Sequence, residues 1–122
     1  MAAALGRQAE ERAAGYAASL GWRLLGRNVR NQYGELDIVA LDNQEQELVV
    51  IEVRCRTMGR VQSSVDSVGP RKLHALVSAG QAFVEQEGWT GFWRIDLVAL
   101  TAPSSGDRWK LEHIRDITAG RL

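Results

Sequence analysis

Apolar residues along this chain change period several times, and each change marks an element. Between positions 5 and 20, Leu5, Ala9, Ala13, Tyr16, Ala17 and Leu20 recur three and four apart. That spacing gathers them on one face of an α-helix. Glu10 falls at the border of the face beside Ala9 and Ala13, Glu11 and Arg12 point farther out, and Gly21 ends the helix. Positions 22 to 29 read as a first strand interrupted at Gly26, and the polar stretch 28 to 34 as a turn into a second strand over 35 to 41. Asp42 opens a hairpin turn that runs to Gln46. The third strand, 48 to 56, is the most apolar, and strict alternation puts Val50, Glu52 and Arg54 on one face with Val49, Ile51, Val53 and Cys55 on the other.

Positions 57 to 69 follow neither period and hold Gly59, Ser63, Ser64, Ser67 and Gly69, which predicts a loop long enough to serve function. Pro70 suits the first turn of a second helix, whose Leu73, Leu76, Val77, Gly80, Phe83 and Val84 stay on one face to about Gln86. Gly88 closes that helix. Positions 92 to 100 alternate as a fourth strand, and 109 to 117 form the last. The order α, β, β, β, α, β, β predicts a single domain over residues 1–122 of the α/β class, a mixed sheet flanked by helices.

Composition narrows the function without naming it. With 122 residues, 45% of them hydrophobic, the chain has the makings of one modest core. Fifteen Lys and Arg against fifteen Asp and Glu leave no net charge, so attraction to a polyanion must come from local clusters. Two exist: five arginines against three glutamates over 1–35, and Arg54, Arg56, Arg60, Arg71 and Lys72 against Asp66 alone over 54–72. One cysteine, Cys55, excludes an intrachain disulfide and a CxxC pair. With no secretory signal and no apolar run near the roughly 20 residues that span a bilayer, the expected address is cytoplasmic.

The chemistry is concentrated in two strands. Asp37 interrupts LDIVAL and Glu52 interrupts LVVIEVRC; an ionised carboxylate inside a sheet needs a cation, a hydrogen-bonding partner or neutralisation. Asp37, then Glu52 fifteen positions later and Arg54 two beyond, has the form of a metal-dependent phosphodiesterase site. Two carboxylates suit Mg²⁺ or Mn²⁺, the remaining positions being left for water and a phosphate oxygen, and a cation on the Glu52 face would meet that phosphate. The competing reading of Asp37 is a buried ion pair with Arg30 or Arg54.

This arrangement resembles the restriction-endonuclease-like superfamily, whose signature is written PD...(D/E)xK and whose αβββαβ core has the order read above. GRQAEERAAGYAASLGWRLLGRNVRNQYGELDIVALD, LVVIEVRCR, VGPRKLHALVSAGQAFV and WRIDLVAL are similar to the YraN-like family of uncharacterised bacterial proteins, over residues 5–100. The shared pattern includes Gly6, Glu10, Asn28, Arg30, Gly34-Glu35-x-Asp37, Glu52-Val53, Arg56, Lys72 and Arg94-x-Asp96. The resemblance implies Asp37 and Glu52 as metal ligands and Glu10 as a carboxylate facing the same site, with Glu35 a weaker candidate. The chain departs from the pattern at Arg54, where the superfamily has lysine; a guanidinium clamps phosphate but stays charged and cannot act as a base. Lys72, heading the second helix, is the candidate replacement.

The leading expectation is therefore a Mg²⁺- or Mn²⁺-dependent, resolvase-like nuclease acting on DNA, with RNA as second substrate. The catalytic set is Asp37, Glu52, Arg54 and Lys72, and Arg27, Arg30, Arg56, Arg60 and Arg71 are the phosphate contacts. The alternative is a catalytically impaired member that binds nucleic acid or another protein. A homodimer through the last strand or a Trp-bearing edge is compatible with both. His74 and His113 read as partly buried structural histidines, and Asp96 as a partner for Arg94, Arg27 or Arg30.

Overall fold

The computed structural model describes residues 2–57, 68–103 and 108–120. Its elements run α1 (Ala2–Ser19), β1 (Arg23–Asn31), β2 (Gly34–Asp42), β3 (Glu47–Thr57), α2 (Pro70–Gln86), β4 (Trp93–Ala102) and β5 (Lys110–Ile114), the order expected from the periodicities. The strands form one five-stranded sheet in sequence order. β1, β2 and β3 are successively antiparallel, β3 and β4 are parallel, and β5 returns antiparallel to β4. A parallel neighbour demands a crossover, which α2 supplies.

Both helices end in the same hydrogen-bonded motif. After α1 the Trp22 N–H donates to the Ala17 carbonyl (3.2 Å) and the Gly21 N–H to that of Ala18 (2.9 Å), with Gly21 at φ +83°. Gly88 and Trp89 repeat this pattern after α2. Left-handed φ costs glycine nothing, so these residues stop the helices where the sequence placed the stops.

The helices cover opposite faces of the sheet. Ala9, Ala13, Ala14 and Ala17 of α1 pack on Ile38, Val49, Ile51, Val98 and Leu100, while Leu76, Ala79, Phe83 and Val84 of α2 pack on Leu36, Val39, Leu48, Val50 and Ile95. β3 obeys its alternation, odd positions towards α1 and even towards α2. The second strand does not. Leu36 and Val39 lie on the α2 side and Ile38 on the α1 side, so the alternation breaks between 36 and 39, beside Asp37.

Three sequence boundaries need correction. The stretch 28 to 34 is not all turn: β1 continues to Asn31, leaving only Gln32 and Tyr33 as the turn. The last strand is confined to Lys110–Ile114, because Asp116 turns left-handed (φ +51°) and the Ile117 N–H reaches back to the Ile95 carbonyl at 2.8 Å. Trp22 and Trp109 precede their strands rather than belong to them. The expected 57 to 69 loop lies mostly outside the described residues, Arg60 with it.

Candidate functional site

Asp37 stands where the β2–β3 ladder opens. The register begins at Ile38↔Ile51, and next to it the Val53 N–H is accepted by Asp37 Oδ2 at 2.9 Å. A side-chain carboxylate thus takes the donor that a backbone carbonyl would have taken. Neither Arg30 nor Arg54 pairs with it among the described residues: Arg30 Nε goes to Glu35 Oε2 at 2.7 Å, and Arg54 lies against Glu52. The ion-pair reading of Asp37 is therefore set aside.

Glu52 is 2% exposed. Burial, and then the neighbouring Asp37 carboxylate, push its carboxyl up to about 8, a hydrogen bond shared with Asp37 adding to the rise; Lys72 and Arg54 pull the other way. Neither cation settles it. Arg54 Nε lies 3.3 Å from Glu52 Oε2, near enough for attraction but misaligned for a hydrogen bond, and Lys72 Nζ lies at 3.8 Å. Glu52 Oε1 is buried and receives no hydrogen bond. Buried acceptors without partners are rare and costly, and they mark places where an ion or water belongs.

α1 brings a third carboxylate. Glu10 is raised above the ordinary range by burial and then by Asp37, with Glu35 adding to the rise, and Arg27 and Asn28 oppose it. With its amide oriented as its neighbours require, Asn28 Nδ2 donates to Glu10 Oε1 (3.1 Å) and Glu35 Oε1 (3.2 Å). Glu35, the weaker candidate from sequence, belongs to the same group, since it raises Glu10 and its Oε1 shares the Asn28 amide. From sequence, Asn28 stands out only as part of a motif. Its type, at a position flanked by alternating strand residues, was the available signal.

The donor set is all oxygen, the set that Mg²⁺ and Mn²⁺ take. Among the described residues no three of His, Cys, Asp or Glu converge as a ready-made cage, but Mg²⁺ commonly uses one or two protein carboxylates and leaves its other positions to water and phosphate. The convergent Asp37–Glu52 pair, with its orphaned oxygen, fits that requirement. Glu10 stands as a neighbour of Asp37.

The expected phosphate contacts are dispersed. Arg27 Nη1 pairs with Glu11 Oε1 at 2.6 Å, Arg56 Nη2 lies 3.8 Å from Glu112, and Arg71 is exposed on the first turn of α2 beside Lys72. His74 is exposed rather than partly buried.

A second polar centre lies at the start of β4. Arg94, 4% exposed, donates to Asp96, Glu47 and Asp42 at 3.0, 2.7 and 3.3 Å and sits 5.3 Å above the Trp22 ring. Asp96 Oδ2 meets His113 Nε2 at 2.8 Å, and His113 Nδ1 meets the Tyr16 hydroxyl at 2.9 Å. Burial pushes Asp96 up, yet bonds from His113, the Asp116 N–H and Arg94 outweigh it and hold the carboxyl below its ordinary value. Asp96 takes Arg94 as expected and His113 instead of Arg27 or Arg30. Every acceptor here is satisfied, the mark of a structural lock.

No helix among the described residues is long and apolar enough to cross a membrane. The model of the uncharacterised protein family UPF0102 matches residues 9–100. Similar proteins include a UPF0102 protein of Marinobacter nauticus, 34% identical over 92% of this chain and 89% of the relative. Another, from Arthrobacter sp., is 38% identical over 93% of this chain and 94% of the relative. A third, from Anaeromyxobacter dehalogenans, is 39% identical over 80% and 72%. From the match over all the elements that build the carboxylate site, the chain belongs to the uncharacterised protein family UPF0102.

Proposed function

We propose that the protein is a metal-dependent phosphodiesterase of the restriction-endonuclease-like kind, acting on DNA in the cytoplasm, with RNA as second substrate. The observation that carries this reading is the buried Glu52 carboxyl next to Asp37, whose Oε1 receives no hydrogen bond, with Arg54 and Lys72 on the same carboxylate. Asp37 and Glu52 would hold Mg²⁺ or Mn²⁺, which supplies charge stabilisation at phosphate and a water of lowered pKa.

The chain's own residues divide the remaining work. Arg54 has the planar fork that grips a phosphate through two parallel bonds, and being permanently charged it binds rather than exchanges protons. Lys72 stands on the first turn of α2, whose cap Gly69 makes no side-chain hydrogen bond. Its ammonium and the partial positive charge of the helix start both favour an anion there.

A second reading has its own support. A Glu52 carboxyl held at about 8 keeps its proton at neutral pH until a cation displaces it, and Arg54 replaces the superfamily lysine. Both favour a member that binds nucleic acid without cutting it.

The test is cleavage of single-stranded, duplex and four-way-junction DNA, and of RNA, in Mg²⁺ or Mn²⁺. Cleavage abolished by Glu52→Ala is expected. Lys72→Ala is expected to lower kcat about 10²-fold, the usual cost of one charge-stabilising donor, and Arg54→Ala to act mainly through KM. Cleavage that survives Glu52→Ala is a contaminant's. Salt-sensitive binding with no cleavage of any substrate selects the second reading.

A further inference from the structure

Asn28 is out of place by every local rule. It lies inside β1, between the paired Arg27↔Ile38 and Val29↔Leu36, yet its φ is +50°. Left-handed geometry inside a strand costs energy even for asparagine, which tolerates it better than most residues. Such strain persists only where the surroundings hold it. The residue opposite Asn28 is Asp37.

The amide explains the geometry. With the amide turned so that its nitrogen faces the carboxylates, that nitrogen lies within donating distance of both Glu10 Oε1 of α1 (3.1 Å) and Glu35 Oε1 of β2 (3.2 Å). Those carboxylates repel each other and Asp37, so without a common donor each side chain would swing towards solvent. Arg30 holds the other oxygen of Glu35 at 2.7 Å, so Glu35 is fixed from two sides. Glu10 has no carboxylate-binding cation within ion-pair distance among the described residues, since Arg27 pairs with Glu11 instead. Asn28 is what ties it to the sheet.

We propose that Asn28 is the positioning residue that seats Glu10 of α1 beside Asp37, so that the carboxylate site draws on the helix as well as the sheet. The role rests on the metal reading of Asp37 and Glu52; the bridge itself does not. Partners that orient a metal site from outside its ligands typically change affinity by 10- to 100-fold.

The experiment has two arms on the full chain. In the first, the side-chain amide of Asn28 is followed by ¹H–¹⁵N NMR without metal. Glu10→Gln is expected to shift one of its two protons and Glu35→Gln the other, while Glu11→Gln shifts neither. In the second, Mn²⁺ affinity is measured by calorimetry for wild type, Asn28→Gly, Glu10→Gln and the double variant, with folding checked by circular dichroism. Glycine accepts the left-handed φ, so Asn28→Gly keeps the backbone and removes only the amide. About tenfold weaker binding is expected for Asn28→Gly, with no further loss when it is added to Glu10→Gln. Amide protons insensitive to both glutamates overturn the bridge. Unchanged Mn²⁺ affinity in Asn28→Gly, or an undiminished loss in the Glu10→Gln background, overturns the positioning role. A wild type that binds no Mn²⁺ while the amide shifts appear removes the metal reading and the positioning role with it, leaving a structural bridge.

Discussion

Glu52 carries a consequence that needs no substrate. Its carboxyl is raised from 4.5 to about 8 in the folded protein, so between those values the folded state holds a proton that the unfolded chain releases. A group that binds protons more tightly when folded stabilises below its unfolded pKa and loses that contribution as pH rises through the folded one. Urea unfolding of the metal-free protein from pH 5 to pH 8 should therefore reveal a falling contribution of at most ~1.4 kcal/mol per pH unit. Glu52→Gln should remove that slope, because an amide can donate to Asp37 at every pH in the window. Equal slopes in the two proteins would contradict the placement of the proton on Glu52. The carboxylates themselves were legible in the sequence, since charge inside LDIVAL and LVVIEVRC has no cheap explanation. Asn28 was not, because its importance lies in a backbone angle and in two partners from separate elements, neither of which a period reveals.

At the scale of elements, α1 is joined to β5 by the Tyr16–His113 bond, and His113 in turn to Asp96 of β4. With Nε2 facing a carboxylate, that nitrogen carries the proton and Nδ1 accepts from the tyrosine. Tyr16→Phe removes one hydrogen bond and leaves Nδ1 half-buried, which should cost 0.5–1.5 kcal/mol by chemical denaturation. A neutral result would mean water replaces the hydroxyl. Helix ends and the β3 faces were readable because Gly21, Pro70 and Gly88 act locally and β3 is buried on both sides. Past Asn28 the sequence of β1 resembles a turn because an edge strand has one partner and exposed faces, and Asn28 and Arg30 are exposed. β5, the opposite edge, is shorter than its sequence pattern for the same reason, and the kink at Asp116 follows its end.

Taken as a whole, the molecule places helices on opposite faces of the sheet and lets both reach one point, the opening of the β2–β3 ladder. Glu10 comes from α1, Lys72 from α2, and Asp37 and Glu52 from the two strands that part there. The Arg94 centre at the start of β4 is saturated with partners, whereas this one retains a buried oxygen that receives no hydrogen bond. On the proposed reading, that contrast separates a structural lock from a site that takes a cation. The most direct measurement is a crystal structure from crystals soaked in Mn²⁺, with anomalous data collected. A peak about 2.1–2.2 Å from one oxygen each of Asp37 and Glu52 is the predicted result. Glu52 still hydrogen-bonded to Asp37, with no peak between them at saturating Mn²⁺, would contradict the account.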